Sequence, residues 1–205
     1  TVINKDGLIE TVGSGQPRID YKDDSKGSLL LEPSRTNLIA QSEAFDSSYW
    51  TKSGTSVVSG FSAPDGSNNA FKLVEDTSTN HQMFKAISGT GKVLSFYAKA
   101  DGRDWIAVNC GANTYFNLAL GTLGTVASGS EAKIESLSNG WYRCSVTETS
   151  AGYGADISLS SNGTTTSYQG DGTSGVYIFG MQLESGSVAT SYIPTSGSSV
   201  QRAAE

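Results

Sequence analysis

The chain has 205 residues, 24 of them glycine, with only 17% charged side chains and a formal net charge of −6. That length suits one β domain, since a single sandwich core can reach roughly 200 residues, and the acidic balance gives no electrostatic reason to expect nucleic acid or an anionic membrane as partner. No apolar run approaches the roughly 18 residues that span a bilayer, and the N-terminus lacks the basic-then-apolar pattern of a leader, so membrane insertion is not expected.

In chain order, Val2-Ile3, Gly7 to Val12 and Pro17 to Tyr21 are very short β-prone pieces between Gly, Ser, Asp and Lys clusters. Such pieces bury too little to make a core, so residues 1–36 are expected to be an extended arm or linker. The arm ends where Glu32-Pro33 interrupts any ladder. A compact domain is expected over residues 37–205, as one module of a longer chain. Asn37-Leu-Ile39 opens it and leads through Phe45-Asp46 to Tyr49-Trp50. Ala63-Pro-Asp-Gly66 is a turn by its chemistry, and Ala70 to Glu75 and His81 to Ile87 are the next strands. Lys92 to Ala100 and Asp104 to Cys110 both alternate with period two and are separated by Asp101-Gly102, which predicts an antiparallel hairpin. Further strands follow at Tyr115 to Leu120, at Lys133 to Leu137 turning through Ser138-Asn139-Gly140 into Trp141 to Thr147, at Asp156 to Ser160 and at Val176 to Leu183. The total is about ten strands with no convincing helical period, which predicts an all-β, two-sheet antiparallel sandwich.

Leu94, Phe96, Ala98, Ile106, Val108, Cys110, Phe116, Leu118, Leu120, Tyr142, Cys144 and Val146 share the apolar phase and are the predicted core. Cys110 and Cys144 both fall on that phase; buried free thiols and a disulfide remain open between them. The opposite phase carries Tyr97, Lys99, Trp105, Asn109, Tyr115, Asn117 and Arg143, and Asp156 joins it. If those strands were neighbours, the side chains would share one mixed aromatic and polar face.

Several motifs carry a resemblance. Asn37-Leu-Ile39 with Phe45-Asp46 and Trp50, Leu94-Ser-Phe-Tyr-Ala-Lys99, Asn139-Gly-Trp-Tyr-Arg143 and Val176 to Glu184 resemble jelly-roll carbohydrate-binding modules of families four, nine and twenty-two. Leu29-Leu-Leu-Glu-Pro-Ser-Arg-Thr-Asn-Leu38, Asn139 to Cys144 and Ser191-Tyr-Ile-Pro-Thr195 are more similar to domains repeated in bacteriophage tail-fibre and other virion proteins. The resemblance implies a jelly roll, a polysaccharide or glycan ligand on a host or algal surface, a virion or extracellular location, and attachment to a larger chain or a homotrimer. Those module families commonly hold a structural calcium. Asp46 matches one of its ligands, but the last strand lacks the second Asp, so no cofactor is expected, and Asp171 and Glu184 are expected to be solvated.

Sugars present CH faces that stack on aromatic rings and hydroxyls that need paired donors and acceptors. The expected site is therefore Tyr97, Trp105 and Tyr115 as stacking platforms, with Lys99, Asn109, Asn117, Arg143 and Asp156 as polar contacts. Trp141 reads as a structural plug, Trp50 as either core or site rim, and His81, the single histidine, as exposed. Glycoside hydrolysis needs two carboxylates at a defined separation, and the mixed face offers only Asp156, so no catalytic residue is assigned. An enzyme, a polysaccharide lyase above all, would be betrayed by a Tyr, an Arg and a carboxylate converging in one cleft. A purely structural fibre domain is the other alternative.

Overall fold

The computed structural model describes residues 1–13, 15–88, 92–109, 111–148 and 154–205. Its strands are β1 (Val2–Ile3), β2 (Ile9–Glu10), β3 (Ile19–Asp20), β4 (Ser28–Leu29), β5 (Arg35–Asn37), β6 (Thr51–Ser53), β7 (Thr55–Phe61), β8 (Ala70–Glu75), β9 (Gln82–Lys85), β10 (Lys92–Asp101), β11 (Trp105–Asn109), β12 (Asn113–Asn117), β13 (Thr122–Leu123), β14 (Glu131–Ser136), β15 (Tyr142–Glu148), β16 (Ala155–Ser160), β17 (Gly175–Ser185) and β18 (Val200–Arg202). One sheet has the order β14-β15-β10-β17-β8-β7 and the other β13-β12-β11-β16-β9-β6, and every pairing within them is antiparallel. The protein is a two-sheet β-sandwich. Eight strands hold its jelly-roll pattern, β8-β17-β10-β15 facing β9-β16-β11-β12, with the chain passing from sheet to sheet at most connections.

The apolar phase read from the sequence faces the interior. Leu94, Phe96, Ala98, Cys144 and Val146 of the first sheet meet Ile106, Val108 and Phe116 of the second in one buried cluster. Phe96 and Phe116 cross the gap between sheets edge to face, with centroids 6.2 Å apart. Each large side chain buried here contributes roughly 1.5–3 kcal/mol relative to exposure. Trp50 belongs to this core, its indole N–H donating to the Gln41 carbonyl at 3.1 Å. Leu120 does not: β12 stops at Asn117, whose side-chain oxygen accepts the Ala119 and Leu120 amides at 3.0 Å and turns the chain, leaving Leu120 exposed. Cys144 is a buried free thiol, and the expectation for Cys110 lies outside the described residues.

The predicted hairpin of Lys92–Ala100 with Asp104–Cys110 is overturned. The chain leaves β10 in the first sheet and enters β11 in the second, so Asp101-Gly102 is a corner between sheets. β10 pairs instead with β15 and β17. Opposite Ser95 and Tyr97, β17 carries a bulge at Gly180, φ +59°. The extra residue resets the alternation, so that Ile178 and Met181 both reach the core while Phe179 points out. A Cβ on Gly180 would stand 3.0 Å from Tyr97 Cδ2 and 3.2 Å from Tyr192 Cζ, which leaves glycine as the residue that fits.

The expected extended arm is folded back on the domain. Its two small hairpins, β1-β2 and β3-β4, lie on the outer face of the first sheet, where Ile9 joins Tyr97, Trp141, Phe179 and Tyr192 in a second apolar cluster. Ile9 N donates to the Pro64 carbonyl at 3.0 Å, and Ser138 Oγ to the Gly7 carbonyl at 3.1 Å. The segment around Ser191-Tyr-Ile-Pro-Thr195 is fastened to the same sheet by buried polar groups. Asn37 Nδ2 donates to the Met181 and Ile193 carbonyls while its Oδ1 accepts the Ile39 and Leu183 amides. Glu184, expected to be solvated, is fully buried, because it accepts the Thr190 amide and hydroxyl, both at 2.7 Å, and the Gln182 amide at 2.9 Å.

Candidate functional site

The mixed face expected from strand phase divides between the two outer surfaces of the sandwich. Tyr97, Lys99 and Arg143 stand on the first sheet, and Trp105, Asn109, Tyr115, Asn117 and Asp156 on the second. The strip of three stacking aromatics is therefore not formed. Tyr97 is buried beneath the arm with Trp141, Phe179 and Tyr192. Tyr115 is 5% exposed, and the Trp105 ring is flanked by two loop glycines, close enough that a Cβ on Gly163 or Gly124 would lie 2.5 or 2.9 Å from it. Asn117 spends its oxygen on the turn after β12. Lys99 lies beside Gly140, away from the second sheet.

What the fold does bring together is a cross-strand row on the outer face of the second sheet. Thr51 pairs with Phe84, Phe84 with Asp156, and Asn109 with Asn113, while Asn109 Nδ2 donates to Asp156 Oδ2 at 3.3 Å and closes the gap. The row crosses β6, β9, β16, β11 and β12, and at about 4.8 Å per strand it spans roughly 19 Å. Gln82, next on the same phase of β9, donates its amide to both Asp156 oxygens at 3.2 Å. Phe84 is half-buried and belongs to neither apolar cluster. Its neighbour Met83 points the other way and is fully buried in the core. The loop over residues 161–168 borders the row: Gly163 lies on Trp105, and Thr166 Oγ1 is 3.5 Å from Asn113 Nδ2. Gln82 and Phe84 were missed in the sequence because His81 to Ile87 reads as a polar strand; the alternation Gln82, Phe84 against Met83 was the available signal.

Asp156 is the electrostatic centre of this row. It is 6% exposed, and its hydrogen-bond partners are the uncharged amides of Gln82 and Asn109. Among the described residues no Lys or Arg pairs with it. Burial without a cation pushes its carboxyl up to about 6, against the smaller opposing effect of the two amides. When ionised, Asp156 holds the N–H groups of both carboxamides, which leaves the Gln82 side-chain oxygen as an acceptor for hydroxyl donors, while Asn109 Oδ1 already accepts the Gly111 amide at 3.2 Å and keeps one lone pair. Asp156 thus holds the two carboxamides in place, and Gln82, Phe84, Asn109 and Asn113 form the candidate contact surface.

A Tyr, an Arg and a carboxylate do converge elsewhere. Tyr168 Oη donates to Glu75 Oε2 at 2.6 Å, and Arg103 binds both oxygens of Glu75 at 2.8 and 2.5 Å. Glu75 is 1% exposed, and its carboxyl is held below the usual range by these partners despite its burial. Burial and the adjacent Glu75 push the Tyr168 phenol well above its usual value, the opposite of what a catalytic base requires. His81, expected to be exposed, is buried against Tyr168 with ring centroids 4.7 Å apart, and its nitrogens face the Gly54 and Tyr168 carbonyls. The cluster ties residues 168–174 to the sandwich. Among the described residues no group of three or more His, Cys, Asp or Glu is placed to hold a metal ion. Compared with known proteins, the chain matches no protein-family model and no curated protein.

Proposed function

We propose that this chain is a non-catalytic glycan-binding module of a bacteriophage tail fibre, another virion protein or a larger secreted protein. It holds a cell-surface or algal polysaccharide along the Thr51–Phe84–Asp156–Asn109–Asn113 row. The observation that carries the reading is that row itself. One aromatic ring belonging to neither apolar cluster stands among carboxamides anchored on a buried carboxylate, which is the pairing of a CH-stacking surface with fixed hydroxyl partners that sugars require. The virion or extracellular setting, and assembly into a larger chain or homotrimer, rest on the sequence resemblance. A binding role without catalysis is supported by the lone carboxylate on the row, where hydrolysis would need two, and by the protonated state of Tyr168, whose phenol donates to the Glu75 carboxylate of the Arg103–Glu75 ion pair.

A glycan array on the intact chain, read beside Phe84→Ala, tests this. Phe84 supports no core contact, so the variant should melt like the parent. Loss of a central aromatic anchor commonly costs about 2 kcal/mol or more, so signal on the recognised glycans should fall at least tenfold. Unchanged glycan signal in folded Phe84→Ala would refute the site, and release of unsaturated or reducing ends from a bound polysaccharide would refute the non-catalytic reading.

A further inference from the structure

We propose that the cleft between the arm and the first sheet is a second binding site, for a sugar acid, with the ligand carboxylate seated on Arg143. The cleft measures about 230 Å³, and its walls include Arg143, Tyr97, Lys133, Lys22, Leu30 and Leu137. That is smaller than the roughly 300–1,000 Å³ of pockets for drug-sized ligands, and suits one ring. It lies on the outer surface opposite the Phe84 row and depends on none of its residues.

Arg143 stands apart from the other arginines in its ion pairing. Arg18, Arg35, Arg103 and Arg202 each stand within salt-bridge distance of a carboxylate; among the described residues Arg143 has no such partner. Glu135 is opposite Arg143 in the register, but its carboxylate turns away to Lys133, at 2.6 Å, and to Lys22. The Arg143 guanidinium is nevertheless fixed. Nη2 donates to Ser95 Oγ at 3.2 Å and to the Thr190 carbonyl, Cζ lies 5.7 Å above the Tyr97 ring, and Nε is buried without a hydrogen-bond partner. A held, partly desolvated cation whose charge no carboxylate offsets is costly for the empty protein, and that cost is reduced when an anion docks against its Nη1 side.

The neighbouring charges reinforce this. Lys22 of the arm and Lys133 of the sheet share the single carboxylate of Glu135, and Lys133, Glu135 and Arg143 together leave the sheet-side wall with one net positive charge. In a chain of net charge −6 this wall stands out as cationic. The facing carboxylates are already engaged. Glu32 binds Arg18, Arg202 and Ser191, and Asp20 accepts the Ile3 and Lys22 amides. Asp23, exposed at the lip, is the exception. Leu30 and Leu137 supply apolar surface for the CH face of a ring. An anionic group together with such surface describes a uronic acid better than an inorganic anion.

The test is a titration of the full chain with D-glucuronate, followed by amide NMR shifts, with D-glucose and inorganic sulfate as comparison probes. Glucuronate should shift the amides of Lys133, Leu137 and Arg143 with a dissociation constant on the order of 1 mM. Glucose should not, and sulfate should bind at least about fivefold more weakly. Lys133→Ala, at a side chain 69% exposed, cannot disturb the core and should weaken glucuronate about threefold. Arg143→Lys keeps the charge but loses the planar fork and should weaken it about tenfold. Phe84→Ala should bind glucuronate as the parent does, which separates this site from the array result above. No shift in the cleft, equal binding of glucose or sulfate, an unchanged constant in Arg143→Lys, or loss of glucuronate binding in Phe84→Ala would each overturn the proposal.

Discussion

Asp156→Asn separates the cost of the row from its use. With the carboxyl raised from its reference of 3.8 to about 6, the native state binds the proton more tightly than the unfolded chain does. Stability contributed by this group is therefore full below about pH 4, falls as the pH rises towards 6, and stays reduced above it. Two units at about 1.4 kcal/mol each set the penalty at pH 7.5 at about 3 kcal/mol. Asn removes the titration. It also loses part of the hydrogen bonding to Gln82 and Asn109, so the net gain at pH 7.5 should be about 2 kcal/mol, with a melting temperature higher by about 4–8 °C. At pH 4 the two proteins should differ by less than about 1 kcal/mol. Binding should move the other way: with the amides no longer held by two negative oxygens, affinity for an array-identified glycan should drop about tenfold at pH 7.5, or about 1.4 kcal/mol. Urea unfolding of both proteins at pH 4 and 7.5, beside binding at pH 7.5, reads all of this. A variant less stable than the parent at pH 7.5, or parallel pH profiles, would refute the account of Asp156 as a buried, unpaired carboxylate. Undiminished affinity would refute its positioning role. A stabilising substitution that costs binding is the signature of a group kept for function.

Three further outcomes follow from the framework. Asn37→Ala leaves the Met181 and Ile193 carbonyls and the Ile39 amide without their side-chain partner, and at 1–3 kcal/mol for each group so orphaned the variant should lose about 3 kcal/mol or more in urea unfolding. Gly180→Ala forces a side chain into the left-handed region and against Tyr97 and Tyr192, so it should cost about 2 kcal/mol and weaken the arm-covered face first, seen as faster proteolysis of residues 1–32. Cys144, whose thiol burial pushes well above its usual value, should stay unreactive to a thiol reagent in a Cys110→Ser background until the protein unfolds; rapid native-state labelling would contradict its place in the core.

The sequence made one half of the architecture readable and concealed the other. Period-two alternation told which side chains of β10, β11, β12 and β15 face inward, and Leu94, Phe96, Ile106, Val108, Phe116, Cys144 and Val146 do so, because a core-facing phase is enforced along each strand separately. Alternation says nothing of which sheet a strand joins. A jelly roll passes repeatedly from sheet to sheet, so consecutive strands with matching phases turn their polar sides to opposite outer surfaces. The motif resemblance implied such a jelly roll, and that topology is incompatible with a hairpin across Asp101-Gly102. Keeping the hairpin pooled Tyr97 with Trp105 and Tyr115 into a face that does not exist. Of the eight residues assigned to that face, Asn109 and Asp156 do share a hydrogen bond, since β11 and β16 are true neighbours.

The two outer surfaces also differ in how they meet water, and this follows from what each carries. The first sheet exposes Tyr97, Phe179 and Trp141 on its outer side, too much apolar area to leave open, and the arm with the 189–195 segment covers it. Short strands with few apolar residues could not form a core of their own, but Ile9 and Val2 need only lie on one that the sheet already provides. The second sheet carries Thr51, Gln82, Asn109 and Asn113 on its outer side, with Phe84 the aromatic member of that row, one strand in from the edge strand β6. Solvation alone accounts for the polar members of that row. It does not account for a partly exposed phenyl ring beside a carboxylate raised by burial, and it is on this pairing that the proposed glycan site rests.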